Sequence, residues 1–212
     1  VLDLHPDLVI VYHAVNDLSA RALPPEGYHG IPASAGIWQS QPDPGPSALY
    51  RYLAVNLGWM RNPNDLRTMV QAYEQAGREC CDQLTHDETA ARFRANPPIY
   101  FERNLRSLIA VAQAHDVQVL LSSWAYFPDE TEGDWNLQAL PYRQEALEEH
   151  NAVTARLAAD TGVAFYDLMR NFPHNRDYWF VDGMHLTPAG TAEQARQYAA
   201  FLVEQGLLPE PA

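Results

Sequence analysis

Three short apolar runs limit what this chain can fold into. Residues 8–12 (Leu-Val-Ile-Val-Tyr), 117–121 (Val-Gln-Val-Leu-Leu) and 163–166 (Val-Ala-Phe-Tyr) are each strand-sized and bounded by polar or turn-forming residues. A near-continuous apolar run of that length reads as a strand buried on both faces, as in a parallel sheet. Between and after the runs the period changes to that of helices. Asn64-Asp65 can cap a helix to about Cys81 or Leu84, with Leu66, Met69, Val70 and Tyr73 on one face. Pro97-Pro98 open another, with Phe101, Leu105, Leu108, Ile109 and Ala112 inward. Pro141 begins a third, to about Thr161, with Leu147, Val153 and Leu157 inward, and Gly162 stops it. Thr187-Pro188 starts the last, with Ala192, Ala195, Ala199 and Leu202 inward. Strands alternating with amphipathic helices imply a doubly wound parallel α/β sheet in three α/β/α layers, flavodoxin-like. In such sheets ligands bind beyond the carboxyl ends of the strands.

At 212 residues the chain is expected to be one domain, spanning 1–212, with an insertion at about 18–97. Residues 24–47 are rich in Pro, Gly and Ser and read as a long loop, and residues 122–140 read as a second, carrying Trp124, Tyr126, Phe127 and Trp135. The adjacent Cys80 and Cys81 are too close to pair with one another and read as two thiols on a helix.

Charge narrows the partners. Fourteen basic residues, all Arg, stand against 27 acidic ones, for a net of −13. An acidic chain repels phosphate backbones, so nucleic acid is disfavoured. No apolar run approaches the roughly 18 residues of a membrane span, and no basic amphipathic helix is present for an anionic lipid surface.

Two local patterns carry chemistry. In Asp182-Gly183-Met184-His185-Leu186-Thr187-Pro188-Ala189-Gly190, an Asp and a His three apart precede a helix. That spacing can set a carboxylate against imidazole Nδ1 and leave Nε2 as a general base. In Ala14-Val15-Asn16-Asp17, an asparagine follows the first strand, where its amide can face an oxyanion, although Asn-Asp also simply turns chains. Either pattern alone is more often structural than catalytic.

Together they are more specific. Pro6-Asp7-Leu8-Val9-Ile10-Val11 leading to Asn16-Asp17, followed much later by Asp182-Gly183-x-His185-Leu186-Thr187-Pro188-x-Gly190, resembles the SGNH (GDSL-type) hydrolases, whose third block reads G-x-N-D and fifth D-x-x-H. The resemblance runs from about Pro6 to Leu202. It implies serine ester hydrolysis through an acyl-enzyme, without metal or organic cofactor. It assigns Asn16 to the oxyanion hole, His185 to the general base and Asp182 to the third triad position. Asp17, Ser122, Ser123 and Trp124, at or near the same strand ends, are the candidate substrate-binding residues, for a small-molecule or carbohydrate ester.

The sequence departs from the family pattern in three places. The third-block Gly is Ala14, with His13 beside it unexplained, and neither the first-block Gly-Asp-Ser nor the second-block Gly is present. The expectation is therefore a chain lacking the first strand or strands of its sheet, catalytically inactive as it stands, and prone to aggregate through exposed edges. Ser19, Ser34, Ser122 and Ser123 do not lie in a strand-to-helix turn of the kind that exposes a nucleophile. Two other readings are an O-acyltransferase using the same triad on a carbohydrate acceptor, and a binding domain that has lost its serine.

Remaining candidates are weaker. His5, His13, Asp17, Asp182 and His185 lack metal-ligand spacing. Asp167 is expected to cap the turn after the third strand. Trp124, Tyr126, Trp135 and Trp179 suit a substrate wall, or more commonly a core. Arg21 and Arg170 suit an anionic group or a surface ion pair.

Overall fold

A computed structural model describes residues 5–23, 25, 28, 57, 84–128 and 141–208. The expected helix from Asn64, Cys80 and Cys81, Trp135 and nearly all of the 24–47 loop lie outside the described residues. The chain divides into two compact units, Val1–Leu18 with Pro98–Ala212, and Ser19–Pro97.

The first unit holds a parallel sheet of three described strands, β1 (Leu8–Tyr12), β2 (Gln118–Ser122) and β3 (Ala164–Tyr166), in the order β1-β2-β3. Tyr12 pairs with Ser122 and Ser122 with Tyr166, so the three carboxyl ends lie in one row. Strand boundaries follow the apolar runs to within a residue. Burial does not: β2 is buried along almost its whole length, whereas β1 and β3 are half-buried and Ile10 is 41% exposed. The expectation of three fully buried strands is thus corrected. β2 has a strand on each side, and β1 and β3 have one described neighbour each.

Side-chain alternation builds the layers. Val9 and Val11, Val119 and Leu121, and Phe165 pack on one face against α3 (Ile99–Gln113) and α4 (Pro141–Thr161), meeting Phe101, Leu105, Ile109, Val153 and Leu157. Leu108 was expected inward but stands 37% exposed. Tyr12, Ser122 and Tyr166 point to the other face, toward α6 (Pro188–Glu204). There Tyr198 donates to Ser122 Oγ at 2.9 Å, and Tyr166 packs on Tyr198 and Phe201. Helices on both faces of a parallel sheet make the doubly wound three-layer α/β architecture.

The inward face of α6 differs from expectation. Ala192, Ala195 and Ala199 are exposed, while Gly190, Gln197 and Leu202 are buried. Gln197 is drawn inside by hydrogen bonds rather than apolarity: its Oε1 accepts from Tyr166 Oη at 2.8 Å and its Nε2 donates to Glu193 at 2.8 Å. Gly190 has a steric reason. A Cβ there would stand 2.1 Å from the Tyr178 carbonyl oxygen.

Three shorter helices complete the described elements. α1 (Val15–Arg21) follows β1, so Asn16 and Asp17 lie in a first helical turn rather than in a reverse turn. α5 (Leu168–Asn171) is capped by Asp167, as expected, with its side chain accepting from Arg170 N. In the second unit, α2 (His86–Ala95) begins at a capping box formed by Thr85 and Glu88. This helix was not expected, although Thr-x-x-Glu was readable as its start. Arg21 does not face solvent. Its buried guanidinium donates to Asn96 O at 2.6 Å and Phe93 O at 2.8 Å, and Asn96 Nδ2 donates in return to Arg21 O and Leu23 O, each at 2.8 Å. Arg170 is exposed.

Two unfolding measurements test this packing. Asn96→Ala leaves buried carbonyls without donors and is expected to cost about 2 kcal/mol in urea unfolding. Gly190→Ala gains about 1 kcal/mol of helix propensity but forces apart α6 and the Tyr178 carbonyl, for about 3 kcal/mol of strain. A net loss near 2 kcal/mol is expected, and an unchanged or raised midpoint contradicts the contact.

Candidate active site

The loop between α5 and α6 is folded against the carboxyl end of the sheet. A short 3-10 turn, Arg176–Tyr178, leads into an antiparallel pairing of Trp179 with Leu186. Phe180 N donates to His185 O at 2.8 Å, Thr187 N to Tyr178 O at 2.9 Å, and Gly183 N to Phe180 O at 2.9 Å. The reversal needs Gly183, whose φ is +67°. Three outside contacts fix this hairpin. Phe127 N, just beyond β2, donates to Gly183 O at 2.8 Å. Arg176 donates to the carbonyls of Trp179 and Phe180 at 3.1 and 2.9 Å. Thr187 caps α6 and gives its hydroxyl proton to Asp177 O at 2.8 Å.

Within that frame Asp182 and His185 come together. Asp182 Oδ2 accepts from His185 Nδ1 at 2.7 Å, and Oδ1 accepts from the amides of Met184 and His185 at 2.8 and 2.9 Å. A carboxylate only accepts, so Nδ1 carries the proton and a neutral ring keeps its lone pair on Nε2. The side chain of His185 is 76% exposed, and its Nε2 has no hydrogen-bond partner among the described residues. Partial burial pushes the Asp182 carboxyl up. The hydrogen bonds from the His185 ring and the two amides outweigh it and hold the group below the usual carboxylate value. The carboxylate thus orients the ring and fixes its tautomer, with most of the imidazole in solvent.

Asn16 is the second residue of α1, four residues beyond the carboxyl end of β1. The turn before it is held from inside the unit. Ala14 O accepts from Asp17 N at 3.1 Å and from Nδ1 of the fully buried His150 at 3.2 Å. The His150 ring is stacked on Phe101, with centroids 4.5 Å apart. Outside, His13 Nε2 pairs with Asp17 Oδ2 across one turn. The Asp17 hydrogen bond pushes the His13 imidazole above its ordinary value, with the carboxylate charge adding to it against the pull of partial burial. Asp17 therefore spends one oxygen on His13.

Ser122 and Ser123, expected among the substrate-binding residues, lie inside the fold. They are 1% and 2% exposed and bonded within the fold. Ser122 Oγ donates to Ser123 O and accepts from Tyr198, and Ser123 Oγ donates to Asp167 Oδ1 and accepts from Met169 N. The same burial removes both as nucleophiles. Trp179 is 5% exposed, in a core cluster with Phe127, Leu168 and Phe172. Tyr126 is buried with its hydroxyl on Glu148. Trp124 remains partly exposed and lies flat on Tyr12, with centroids 4.3 Å apart. Asn151 clamps its backbone, accepting from Trp124 N at 2.7 Å and donating to Trp124 O at 3.0 Å.

Sequence reasoning missed three residues that hold the site: His150, Asn151 and Arg176. The signal for His150 was a polar residue inside the buried stripe Ala146, Leu147, Val153, Thr154, Leu157 and Ala158 of α4. Among the described residues no group of three or more His, Cys, Asp or Glu is placed to hold a metal ion, and no helix is long and apolar enough to cross a membrane.

Comparison with known proteins adds one finding. The profile of the GDSL-like Lipase/Acylhydrolase family matches residues 1–192. No curated protein and no solved structure matches. The family match covers both the strand leading to Asn16 and the Asp182–His185 hairpin, and the parallel α/β sheet is the architecture that such a match implies. The chain belongs to the GDSL-like lipase/acylhydrolase family.

Proposed function

We propose that this protein is a serine ester hydrolase of the carboxylesterase, lipase or acetylesterase type, with His185 as general base, Asp182 as its orienting carboxylate and Asn16 as an oxyanion donor. The observation that carries the proposal is the Asp182–His185 contact. At 2.7 Å it fixes the tautomer and leaves Nε2 exposed. A pair that served only to close a turn would have no need of an open ring nitrogen.

The reaction follows the acyl-enzyme scheme. A serine hydroxyl attacks the ester carbonyl while His185 Nε2 takes its proton. Asn16 and backbone amides receive the charge that develops on the carbonyl oxygen, a contribution worth about 3 kcal/mol per donor in hydrolases. The imidazolium returns its proton to the departing alcohol, and water, activated by the same nitrogen, releases the acid. The 212 residues contain no Gly-Asp-Ser, and Ser122 and Ser123 are buried. The nucleophile is therefore proposed to come from a Gly-Asp-Ser block outside these residues, and the chain by itself is proposed to be inactive. Trp124 is the aromatic wall of the substrate mouth, and Asp17 acts there through its pairing with His13.

The longest reading frame that contains this chain is expected to hydrolyse short-chain esters. In it His185→Ala lowers kcat by about a hundredfold or more; normal activity in that variant rules out the base assignment. Asp182→Asn is expected to lower kcat as well, by presenting the wrong tautomer. It also has a pH signature in unfolding. A carboxyl held below its unfolded value of about 3.9 stabilises the fold above that value, and the contribution is lost as pH falls through the depressed one. The stability advantage of the wild type over Asp182→Asn is therefore present at neutral pH and disappears in strong acid.

A further inference from the structure

We infer that Phe180 is a specificity-determining residue that receives the alcohol portion of the ester, and that the favoured substrates are esters of apolar alcohols; this rests on the hydrolase reading above. Trp179 and Leu186 are directly opposite one another in the hairpin, and both pack into the same core cluster. Side chains alternate along an extended strand, and cross-strand neighbours share a face. The next pair outward, Phe180 and His185, is joined by the Phe180 N to His185 O bond, so it presents its side chains to the opposite side, away from the core. Exposure agrees: Trp179 is 5% exposed and Phe180 51%, and the His185 side chain is 76% exposed. Cβ atoms of such pairs stand about 5 Å apart. Phe180 and Val181, 60% exposed, therefore leave apolar surface in solvent on the hairpin that carries His185, with Phe180 joined to His185 through the backbone.

The chemistry of the step says which part of the substrate meets that ring. When the tetrahedral intermediate collapses, the carbon–oxygen bond to the alcohol breaks and its electron pair goes to the alcohol oxygen. That oxygen takes the proton that His185 Nε2 received from the serine, and the acyl group stays on the serine. The alcohol oxygen must therefore stand at Nε2, and the carbon chain attached to it runs past the neighbours of His185. Phe180 is the larger of the two exposed apolar side chains that the hairpin supplies. An alkyl or aryl group laid on it removes from water the apolar surface that the free protein leaves wet.

The test uses the longest reading frame containing this chain, with ethyl acetate, hexyl acetate and ethyl hexanoate as substrates. In Phe180→Ser the ratio of kcat/KM for hexyl acetate to that for ethyl acetate is expected to fall about tenfold, while the ratio for ethyl hexanoate to ethyl acetate moves less than about twofold. Phe180→Leu is expected to restore most of the lost preference. Each ratio is internal to one variant, so a change in the amount of folded protein cancels. A hexyl preference that does not respond to Phe180, or a loss on the acyl series instead, overturns the assignment alone. Ester hydrolysis that survives His185→Ala overturns the reading beneath it, and the assignment with it.

Discussion

The parallel ladder of β2 with β1 and β3 is the constraint on which the site depends. Because the strands run the same way and in one register, Tyr12, Ser122 and Tyr166 end together. The segments that leave them (Asn16 in α1, Trp124 to Phe127, and Asp167 at the head of α5) all emerge along one edge. The Asp182–His185 hairpin is tied to that edge by the Phe127 to Gly183 hydrogen bond. An antiparallel neighbour would carry one of these segments to the far end of the sheet.

Much of this was legible in the sequence. The three strands follow the apolar runs to within a residue, although only β2 is buried along almost its whole length. The α4 and α6 starts were fixed by Pro141 and by Thr187-Pro188, and the dyad by an Asp-Gly-x-His spacing whose glycine takes a positive φ. What escaped was decided by hydrogen bonds rather than by hydropathy. The alanines of α6 were assigned inward for being apolar, but Gln197 is inside because Tyr166 and Glu193 satisfy its amide. Arg21 was assigned to the surface for being charged, yet backbone carbonyls receive its guanidinium. Ser122 and Ser123 looked like site residues because they end a strand, and the fold uses both hydroxyls itself.

The candidate site shows how polar groups are shared between structure and chemistry. Asp182 satisfies two backbone amides with one oxygen and orients His185 with the other. His150, fully buried, fixes the Ala14 carbonyl just before Asn16, and Asn151 on the same helix fixes Trp124. α4 thus anchors both the segment that leads to Asn16 and the segment that carries Trp124. Gly190 lets α6 approach the Tyr178 carbonyl, and the hairpin that holds the dyad starts and ends at that contact.

The most direct measurement is covalent labelling. The longest reading frame that contains these residues is treated with a fluorophosphonate, and the modified serine is located by peptide mass spectrometry, with and without His185→Ala. The account predicts a single labelled serine in a Gly-Asp-Ser segment preceding these residues, and labelling that slows sharply when His185 is removed. A label on Ser122 or Ser123, or a rate indifferent to His185, would contradict it.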